Sequence, residues 1–434
     1  MNMAAPGLAL AAQATRFRET RARSLALVAP LSEADATLQS MDDASPAKWH
    51  LAHTTWFWET FLLRDHAPGY RLFDERWAFL FNSYYEAEGE RLARGRRGML
   101  SRPKLAEIAQ WRCRVDEAME PLLADERLQG LIALGIAHEE QHQELLLTDI
   151  KDALFQNPLG VAYACPSSHA RGKGATTPVV TRVAAGGANP SPQPRSRKGR
   201  GAPGWHRHPG GIVEVGHAGA GFAFDNEGPR HRVLIEPFAL ADRLVTNADW
   251  DRFVADGGYA DPRLWLADGW AWVQAEGIAA PLYWREGEHY TLAGWQERVP
   301  DAPVTHVSAY EADAFATWAG ARLPTEFEWE ALAEAHDPCG GNQLDEAGPV
   351  HPEGGDALFG DTWQFTRSAY LPYPGFRPAG GAVGEYNGKF MSGQVVLRGA
   401  SCATVRGHSR SSYRNFFYPH QRWQFTGVRL AKDA

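Results

Sequence analysis

Cysteine is scarce and scattered in this chain of 434 residues. Cys113, Cys165, Cys339 and Cys402 stand alone, with no CxxC pair among them. The pattern excludes a disulfide-rich scaffold and a zinc ribbon, because both need closely spaced cysteines. Isolated thiols are typical of a reducing compartment, so we expect a cytoplasmic protein.

Long apolar runs and net positive charge are also missing. No apolar run is long enough to span a bilayer, and the apolar patch near the first residues lacks the preceding basic residues of a signal peptide. The formal net charge of −8 argues against a general nucleic-acid binder. We expect a small-molecule substrate, and neither a membrane nor a nucleic acid as partner.

Acidic residues are absent from residues 166–204, which hold six prolines and seven lysines or arginines. Such a composition buries too little surface to offset the entropy of ordering, and it predicts a flexible basic linker or insertion. A basic RNA-binding tail is the alternative, but the stretch lacks the interleaved aromatic residues that stack on bases.

The segments on either side of this insertion follow different patterns. Residues 16–160 contain long amphipathic stretches, and Ser45 before Pro46 is typical of a helix start. They predict an antiparallel helical bundle. Residues 205–434 alternate short strand patterns with glycine and proline turns. The predicted fold class is therefore α+β, with a helical domain before a strand-rich domain.

The run His138-Glu139-Glu140-Gln141-His142 carries the most specific chemical signal. Residues four apart share a helix face, so the two imidazoles can close on one metal ion. The run also matches H-E-x-x-H, the zinc metalloprotease pattern, in which Glu139 would be the general base. The longer form of that pattern needs Gly and His where this chain has Leu145 and Thr148.

A third ligand must come from elsewhere, since residues 153–213 contain no acidic residue. His50 and His53 lie three apart on a predicted helix in the same bundle. A lone helical histidine is more often a packing residue than a ligand. The histidine pair in the same bundle makes a ligand role for one of these two residues more plausible.

Motifs in both halves resemble the ergothioneine sulfoxide synthase family, in which a DinB-like four-helix bundle precedes a formylglycine-generating-enzyme-like domain of C-type-lectin-related fold. The resemblance is carried in order by Leu51-Ala52-His53-Thr54, His138-Glu139-Glu140-Gln141-His142, Asp225-Asn226-Glu227-Gly228-Pro229, Val245-Thr246-Asn247, Arg322-Leu323-Pro324-Thr325-Glu326 and Phe425-Thr426-Gly427-Val428-Arg429. It covers nearly the whole chain outside residues 166–204.

The resemblance implies a mononuclear non-haem iron(II), Fe(2+), held by His53, His138 and His142. His50 then becomes a residue that supports a ligand, and Glu139 loses the role of protease base. An all-imidazole site with open positions suits an iron(II) that must take substrate and O2 together.

The implied acceptor is hercynine, the trimethylated betaine of histidine. A quaternary ammonium has no N–H to donate, so aromatic faces should hold it. The matching residues are Asn415, Phe416, Phe417 and Trp423, while Gln141 would hydrogen-bond the imidazole or the carboxylate. Phe416 and Phe417 are equally well explained as core residues of the lectin-like fold.

The segment Asn82-Ser83-Tyr84-Tyr85-Glu86 resembles the branch of the family that supplies its catalytic tyrosine from the first domain. Tyr84 or Tyr85 should donate a proton and steer the reaction away from simple thiol oxidation. Of the arginines that follow, most should be solvated, but one or two, Arg97 among them, would hold a donor carboxylate.

Several positions depart from the family's wording: Gln364 and Phe365 in Trp363-Gln364-Phe365-Thr366, Ala400 after Arg398-Gly399, and Glu88. Glu88 would bring an anion to the loop that receives a donor carboxylate, and like charges disfavour such a ligand. We therefore favour the selenoneine synthase branch, which joins hercynine to a selenosugar. The alternative is a carbon–sulfur bond formed with a thiol donor, cysteine or γ-glutamylcysteine.

Two other classes of protein remain as alternatives. A zinc metalloprotease would use Glu139 as its base, and a non-catalytic lectin-like protein would bind no metal. Neither accounts for the third histidine or for the aromatic segment. We predict an enzyme that uses iron(II) and O2 to form a carbon–selenium or carbon–sulfur bond on hercynine.

Overall fold

The computed structural model describes residues 6–163, 202–219, 221–380, 384 and 387–434. Nearly all of the predicted insertion at 166–204 lies outside this part of the chain. The helices are α1 (Pro6–Val28), α2 (Ala47–Trp58), α3 (Trp77–Phe81), α4 (Leu105–Met119), α5 (Gln129–Phe155), α6 (Asn247–Ala255), α7 (Ala267–Glu276), α8 (Ala309–Trp318) and α9 (Glu326–Ala333). None in the described ranges is both long and apolar enough to cross a membrane.

The first half is a bundle of α1, α2, α4 and α5. α2 packs against α4 and α5, and every residue of α2 is buried. Polar side chains on α2 therefore need hydrogen-bond partners inside the protein. This is why a histidine on α2 meets histidines on α5.

Two helix starts differ from the predictions. α1 begins at Pro6, ahead of residue 16, because a first-turn proline and the following alanines and leucines favour a helix. α2 begins at Ala47, but the side chain of Ser45 does not cap it. The backbone N–H of Ser45 instead donates to Asp149 Oδ2 at 2.8 Å, which ties the start of α2 to α5.

The second half is built from short strands and turns. Its strands are β1 (Trp205–His208), β2 (Gly211–Val215), β3 (His231–Ile235), β4 (Phe238–Ala241), β5 (Trp284–Arg285), β6 (Glu288–Thr291), β7 (Gly294–Glu297), β8 (Trp363–Ala369), β9 (Val395–Arg398), β10 (Asn415–Phe417), β11 (Thr426–Gly427) and β12 (Ala431–Asp433). The sheets have the orders β1-β4-β12, β2-β3, β5-β6-β7 and β10-β9-β8-β11. Within the last of these, β11 pairs with β8 in parallel and the other neighbours are antiparallel.

α5 joins the two halves. Glu140 accepts from His408 Nδ1 at 2.9 Å, Gln141 Nε2 donates to the Tyr413 hydroxyl at 2.6 Å, and Glu144 accepts from Trp363 Nε1 at 2.6 Å. These contacts interleave with the histidines of the same helix. One face of α5 therefore lines the bundle interior while another packs on the strand-rich domain.

Candidate metal centre and substrate cavity

His53 on α2 meets His138 and His142 on α5. One ligand nitrogen from each lies within 4.8 Å of the other two, and all three residues are buried. His53 Nε2 and His138 Nε2 are 3.2 Å apart. Two nitrogens each about 2.1 Å from a shared ion at an angle near 90 to 110° lie about 3 to 3.4 Å apart, so the spacing fits two ligands of one metal.

The ring of His53 is oriented by its surroundings. Its Nδ1 lies 2.6 Å from the carbonyl oxygen of Phe81. Because a carbonyl only accepts, Nδ1 carries the proton and Nε2 keeps its lone pair for a metal. Trp49 stacks on the same ring at 4.6 Å between centroids and 11° between planes.

All three imidazoles are neutral. Burial lowers the pKa of His138 to about 3. Burial lowers the pKa of His53 and of His142 well below the ordinary value, because a positive charge on either ring would be desolvated and would lie close to the other histidines and to Arg97. A neutral imidazole is the form that binds a metal, so the electrostatics match the chemistry of the donor set.

His50 lies beside this group but does not belong to it. Its Nδ1 is 2.9 Å from His142 Nδ1, and its Nε2 is 3.1 Å from Asp149 Oδ2. Both ring nitrogens are thus occupied, so His50 contacts His142 from outside the three-histidine group.

Glu139 is held away from any base chemistry. Its carboxylate pairs with Arg21 at 2.9 Å and with Arg112, and it accepts from Ser24 Oγ at 2.6 Å and Trp58 Nε1 at 2.9 Å. Burial alone would raise its pKa, but the two arginines lower the pKa overall. The protease interpretation is wrong because its general base is a buried structural anion.

A cavity of about 560 Å³ opens beside the metal centre, between the two halves of the chain. His142 and His50 line it from the bundle, and Trp363 and Trp423 line it from the strand-rich domain. His142 is the member of the three-histidine group on this lining, so the cavity lies against one side of the group.

Every predicted substrate-binding residue lies on this cavity. The lining includes Gln141, Asn415, Phe416, Phe417, Trp423 and Arg97. Phe416 stacks on Tyr370 at 4.1 Å and 11°, so its ring is both a wall residue and a packing residue. Trp423 donates its indole N–H to Asp149 Oδ1 at 3.0 Å.

The two tyrosines separate clearly. Tyr84 lines the cavity, where its ring packs against Phe390 of the second domain at 5.1 Å. Tyr85 is 1% exposed and packs among Trp56 and Phe61, outside the cavity lining. The structure brings one phenol to the cavity and places the other in the bundle core.

The arginines between positions 91 and 102 fall into two groups. Arg91, Arg94 and Arg97 line the cavity, whereas Arg96 and Arg102 are exposed outside it. Arg97 is 2% exposed, stacks on Trp49 with 3.4 Å from Cζ to the ring centroid, and donates to the hydroxyls of Ser45 and Ser83. It has no ion-pair partner in the described ranges, and burial lowers its pKa to about 9, so it stays cationic at neutral pH.

Known sequences agree with this architecture. The sequence model of the DinB superfamily matches residues 16–146, and that of the sulfatase-modifying factor enzyme 1-like domain matches residues 191–350. A hercynine oxygenase of Mycolicibacterium smegmatis is 33% identical, and the match covers 96% of this chain and 99% of that protein. The chain belongs to the hercynine oxygenase family.

A second hercynine oxygenase, from Mycobacterium tuberculosis, is 32% identical over 97% of this chain and 98% of its own length. The formylglycine-generating enzyme of Streptomyces coelicolor is 37% identical over 34% of this chain and 52% of its own. Membership confirms the predicted family, the two-part α+β fold and the prediction of an oxidoreductase.

The residues that differ from the family's motifs lie outside the lining of the cavity. Glu88 pairs with Arg64 at 2.6 Å, so the anion that suggested a selenosugar donor is neutralised elsewhere. Gln364 accepts from Trp329 Nε1 and Arg429 Nε, both at 2.8 Å, inside the core of the second domain. Among the described residues, neither side chain lines the cavity.

Two residues of the site escaped the sequence analysis. Asp149 lies seven positions after His142, two helical turns along the same face, and this spacing was a usable signal. Gln424 lines the cavity, is 2% exposed, and neither polar atom of its side chain has a partner in the described ranges. No sequence pattern distinguishes that glutamine from a core residue.

Proposed function

We propose that this protein is an iron(II)- and O2-dependent synthase that joins hercynine to a thiol and releases the sulfoxide. The observation that carries the proposal is a neutral three-histidine centre beside a cavity with an aromatic wall and a cationic wall. The names of the two full-length relatives support hercynine as the acceptor.

The proposed reaction balances with O2 as the oxidant. The thiol S–H and a ring C–H are lost, a carbon–sulfur bond forms, and one oxygen atom is added to sulfur. The second oxygen atom leaves as water with the two hydrogens, so O2 accepts four electrons. Iron(II) held by His53, His138 and His142 would supply O2 activation.

Hercynine would lie along the aromatic wall. Its trimethylammonium group suits the faces of Phe416 and Phe417, because a cation with no N–H is attracted to aromatic rings. Gln141 lines the same cavity and donates to the Tyr413 hydroxyl through Nε2, so we place its amide beside the polar end of the acceptor.

The donor would lie along the cationic wall. Arg97 is a buried guanidinium without a carboxylate partner in the described ranges, and Arg94 also lines the cavity. Arg91 lines it too, but its guanidinium pairs with Glu86 at 2.6 Å. Such a wall favours a donor that carries a carboxylate, such as cysteine or γ-glutamylcysteine. A selenosugar has no carboxylate, so we now favour the carbon–sulfur reaction over our initial expectation.

Tyr84 is the phenol that we assign to proton delivery, since it lines the cavity and Tyr85 does not. We expect Tyr84→Phe to lower the rate of sulfoxide formation by about a hundredfold or more, in the range of general acid catalysis. O2 consumption should fall less, because the thiol is then oxidised without coupling. Product ratios by mass spectrometry measure this split.

Tyr85→Phe is the matched control, since it removes the same hydroxyl one residue away. It should leave the ratio of sulfoxide to oxidised thiol unchanged. A shift of that ratio in Tyr85→Phe with none in Tyr84→Phe would reverse the assignment.

Arg97→Gln should raise the KM for cysteine or γ-glutamylcysteine by about tenfold to a hundredfold, because a charged hydrogen bond contributes about 1.5 to 3 kcal/mol. The KM for cysteamine, a thiol without a carboxylate, should not change. Arg96→Gln alters an exposed arginine outside the cavity and should affect neither. Equal effects on both thiols would contradict a carboxylate site at Arg97.

The proposed function as a whole is tested by anaerobic loading with iron(II), addition of hercynine with cysteine, γ-glutamylcysteine or a selenosugar, and exposure to air. Mass spectrometry should detect a sulfoxide with a thiol donor as the fastest product. Faster formation of a selenium adduct would restore the selenosugar, and no adduct with any donor would refute the proposal.

A further inference from the structure

A chain of hydrogen bonds runs from one metal ligand to a buried carboxylate. His142 Nδ1 lies 2.9 Å from His50 Nδ1, and His50 Nε2 lies 3.1 Å from Asp149 Oδ2. Asp149 also accepts from the backbone N–H of Ser45 at 2.8 Å and from Trp423 Nε1 at 3.0 Å. All of these polar groups are buried.

The directions of these hydrogen bonds follow from the partners. A carboxylate that receives two other N–H groups is an acceptor, so His50 Nε2 donates its proton to Asp149. If His142 binds a metal through Nε2, its Nδ1 carries the proton and donates to His50 Nδ1, 2.9 Å away. The two hydrogen bonds of His50 would then hold His142 in the tautomer that leaves the Nε2 lone pair for a metal.

We infer that His50 and Asp149 are positioning residues that fix the tautomer and ring orientation of His142 as a metal ligand. In many metal sites a carboxylate accepts a hydrogen bond directly from the metal-bound imidazole. Here His50 lies between His142 and Asp149, and we call this hydrogen-bonded chain the relay. The inference rests on the metal centre of the proposed function, but not on its acceptor, donor or product.

The relay has a second structural consequence. Asp149 anchors Ser45 at the start of α2 and Trp423 in the strand-rich domain, so three parts of the chain converge on one carboxylate. The orientation of His142 therefore depends on α2 and on the second domain as well as on α5. Trp423 also lines the cavity. Asp149 therefore holds both a residue of the cavity wall and, through His50, the ring of His142.

Two replacements of His50 distinguish the loss of its hydrogen bond to His142 from the loss of its packing. His50→Leu keeps an apolar side chain of similar bulk but offers no acceptor to His142. His50→Asn offers its amide oxygen close to the place of the original Nδ1. Supporting residues of this kind contribute about tenfold to a hundredfold to metal affinity. We expect a loss of that size in His50→Leu and recovery of most of it in His50→Asn.

The measurement is a titration of the metal-free full-length protein with Co²⁺, followed by visible absorption, and with Fe²⁺ under anaerobic conditions. His408→Leu is the matched control, because His408 is another buried imidazole hydrogen-bonded to a carboxylate, Glu140, at 2.9 Å. It should bind both ions as the parent protein does, with an unaltered Co²⁺ spectrum. Thermal melting of each metal-free variant reports any loss of folding separately.

Weaker binding in His50→Leu with recovery in His50→Asn supports the relay. Equal affinity in the parent protein and His50→Leu would overturn it, and so would equal losses in His50→Leu and His50→Asn. No substrate or O2 is present, so these outcomes are independent of whether the parent protein makes a sulfoxide. If His50→Leu does not fold, Asp149→Ala with the same titration replaces it, and unchanged affinity there would overturn the relay.

Discussion

His138→Ala is expected to abolish both metal retention and turnover. His138 is fully buried, and its Nε2 lies 3.2 Å from that of His53, at the centre of the three-histidine group. Two remaining imidazoles hold a divalent ion poorly, and activation of O2 depends on that ion. A loss of about 4 kcal/mol of transition-state stabilisation corresponds to about a thousandfold in kcat/KM, and we expect at least this.

The control for His138→Ala is His408→Leu, which alters a buried histidine outside the metal centre. Metal content by atomic spectroscopy after anaerobic purification and sulfoxide yield should both collapse in the first variant only. Parent-like turnover in His138→Ala would refute the metal centre. Absence of metal from the parent protein after iron loading would favour a lectin-like binding protein instead.

Glu139→Gln is expected to cost stability without removing the chemistry. The change leaves Arg112 and Arg21 buried with their shared anion gone, and breaking a buried ion pair in this way costs about 3 to 5 kcal/mol. Urea unfolding of the metal-free protein measures this free energy. Metal binding should persist, because Glu139 does not contact the ligand nitrogens through any of its hydrogen bonds.

The pH dependence of the parent protein should report the same carboxylate. The folded-state pKa of Glu139 is lowered from 4.5, so its contribution to stability is complete above about pH 4.5 and is lost as the pH falls. Glu139→Gln should flatten the acid limb of the stability curve. If Glu139 were the general base of a zinc protease, Glu139→Gln would abolish peptide cleavage and leave the free energy of unfolding unchanged.

The histidine pair on α5 could be found from the sequence because helical spacing alone places residues four apart on one face. The choice of His53 over His50 could not be made that way. Both are buried on α2, and only the position of Phe81 and Asp149 decides which ring is free to bind a metal. The resemblance to a known family supplied that choice.

The sequence predicted which types of side chain line the cavity, but not which of two adjacent residues does so. Adjacent residues such as Tyr84 and Tyr85 have the same chemistry, and burial in the bundle core is a tertiary property. Glu88 suggested a donor without a carboxylate because the sequence does not show which residue pairs with it. In the structure its partner is Arg64, at the end of the helical segment Glu59–Arg64 that continues α2. Our boundaries of 16–160 and 205–434 for the two domains remain predictions.

α5 also sets a rule for exchanging domains between relatives. The histidines of α5 face the interior of the bundle. Gln141, which lies between them, and Glu144, which follows them, instead form hydrogen bonds with the second domain. Inserting one residue between His138 and Gln141 would turn the later part of the helix by about 100°, which would misalign His142 with His138 and also move Gln141 and Glu144. A junction on either side of α5 separates this helix from one of its two partners, so a chimera should keep the contact residues of both domains together with α5.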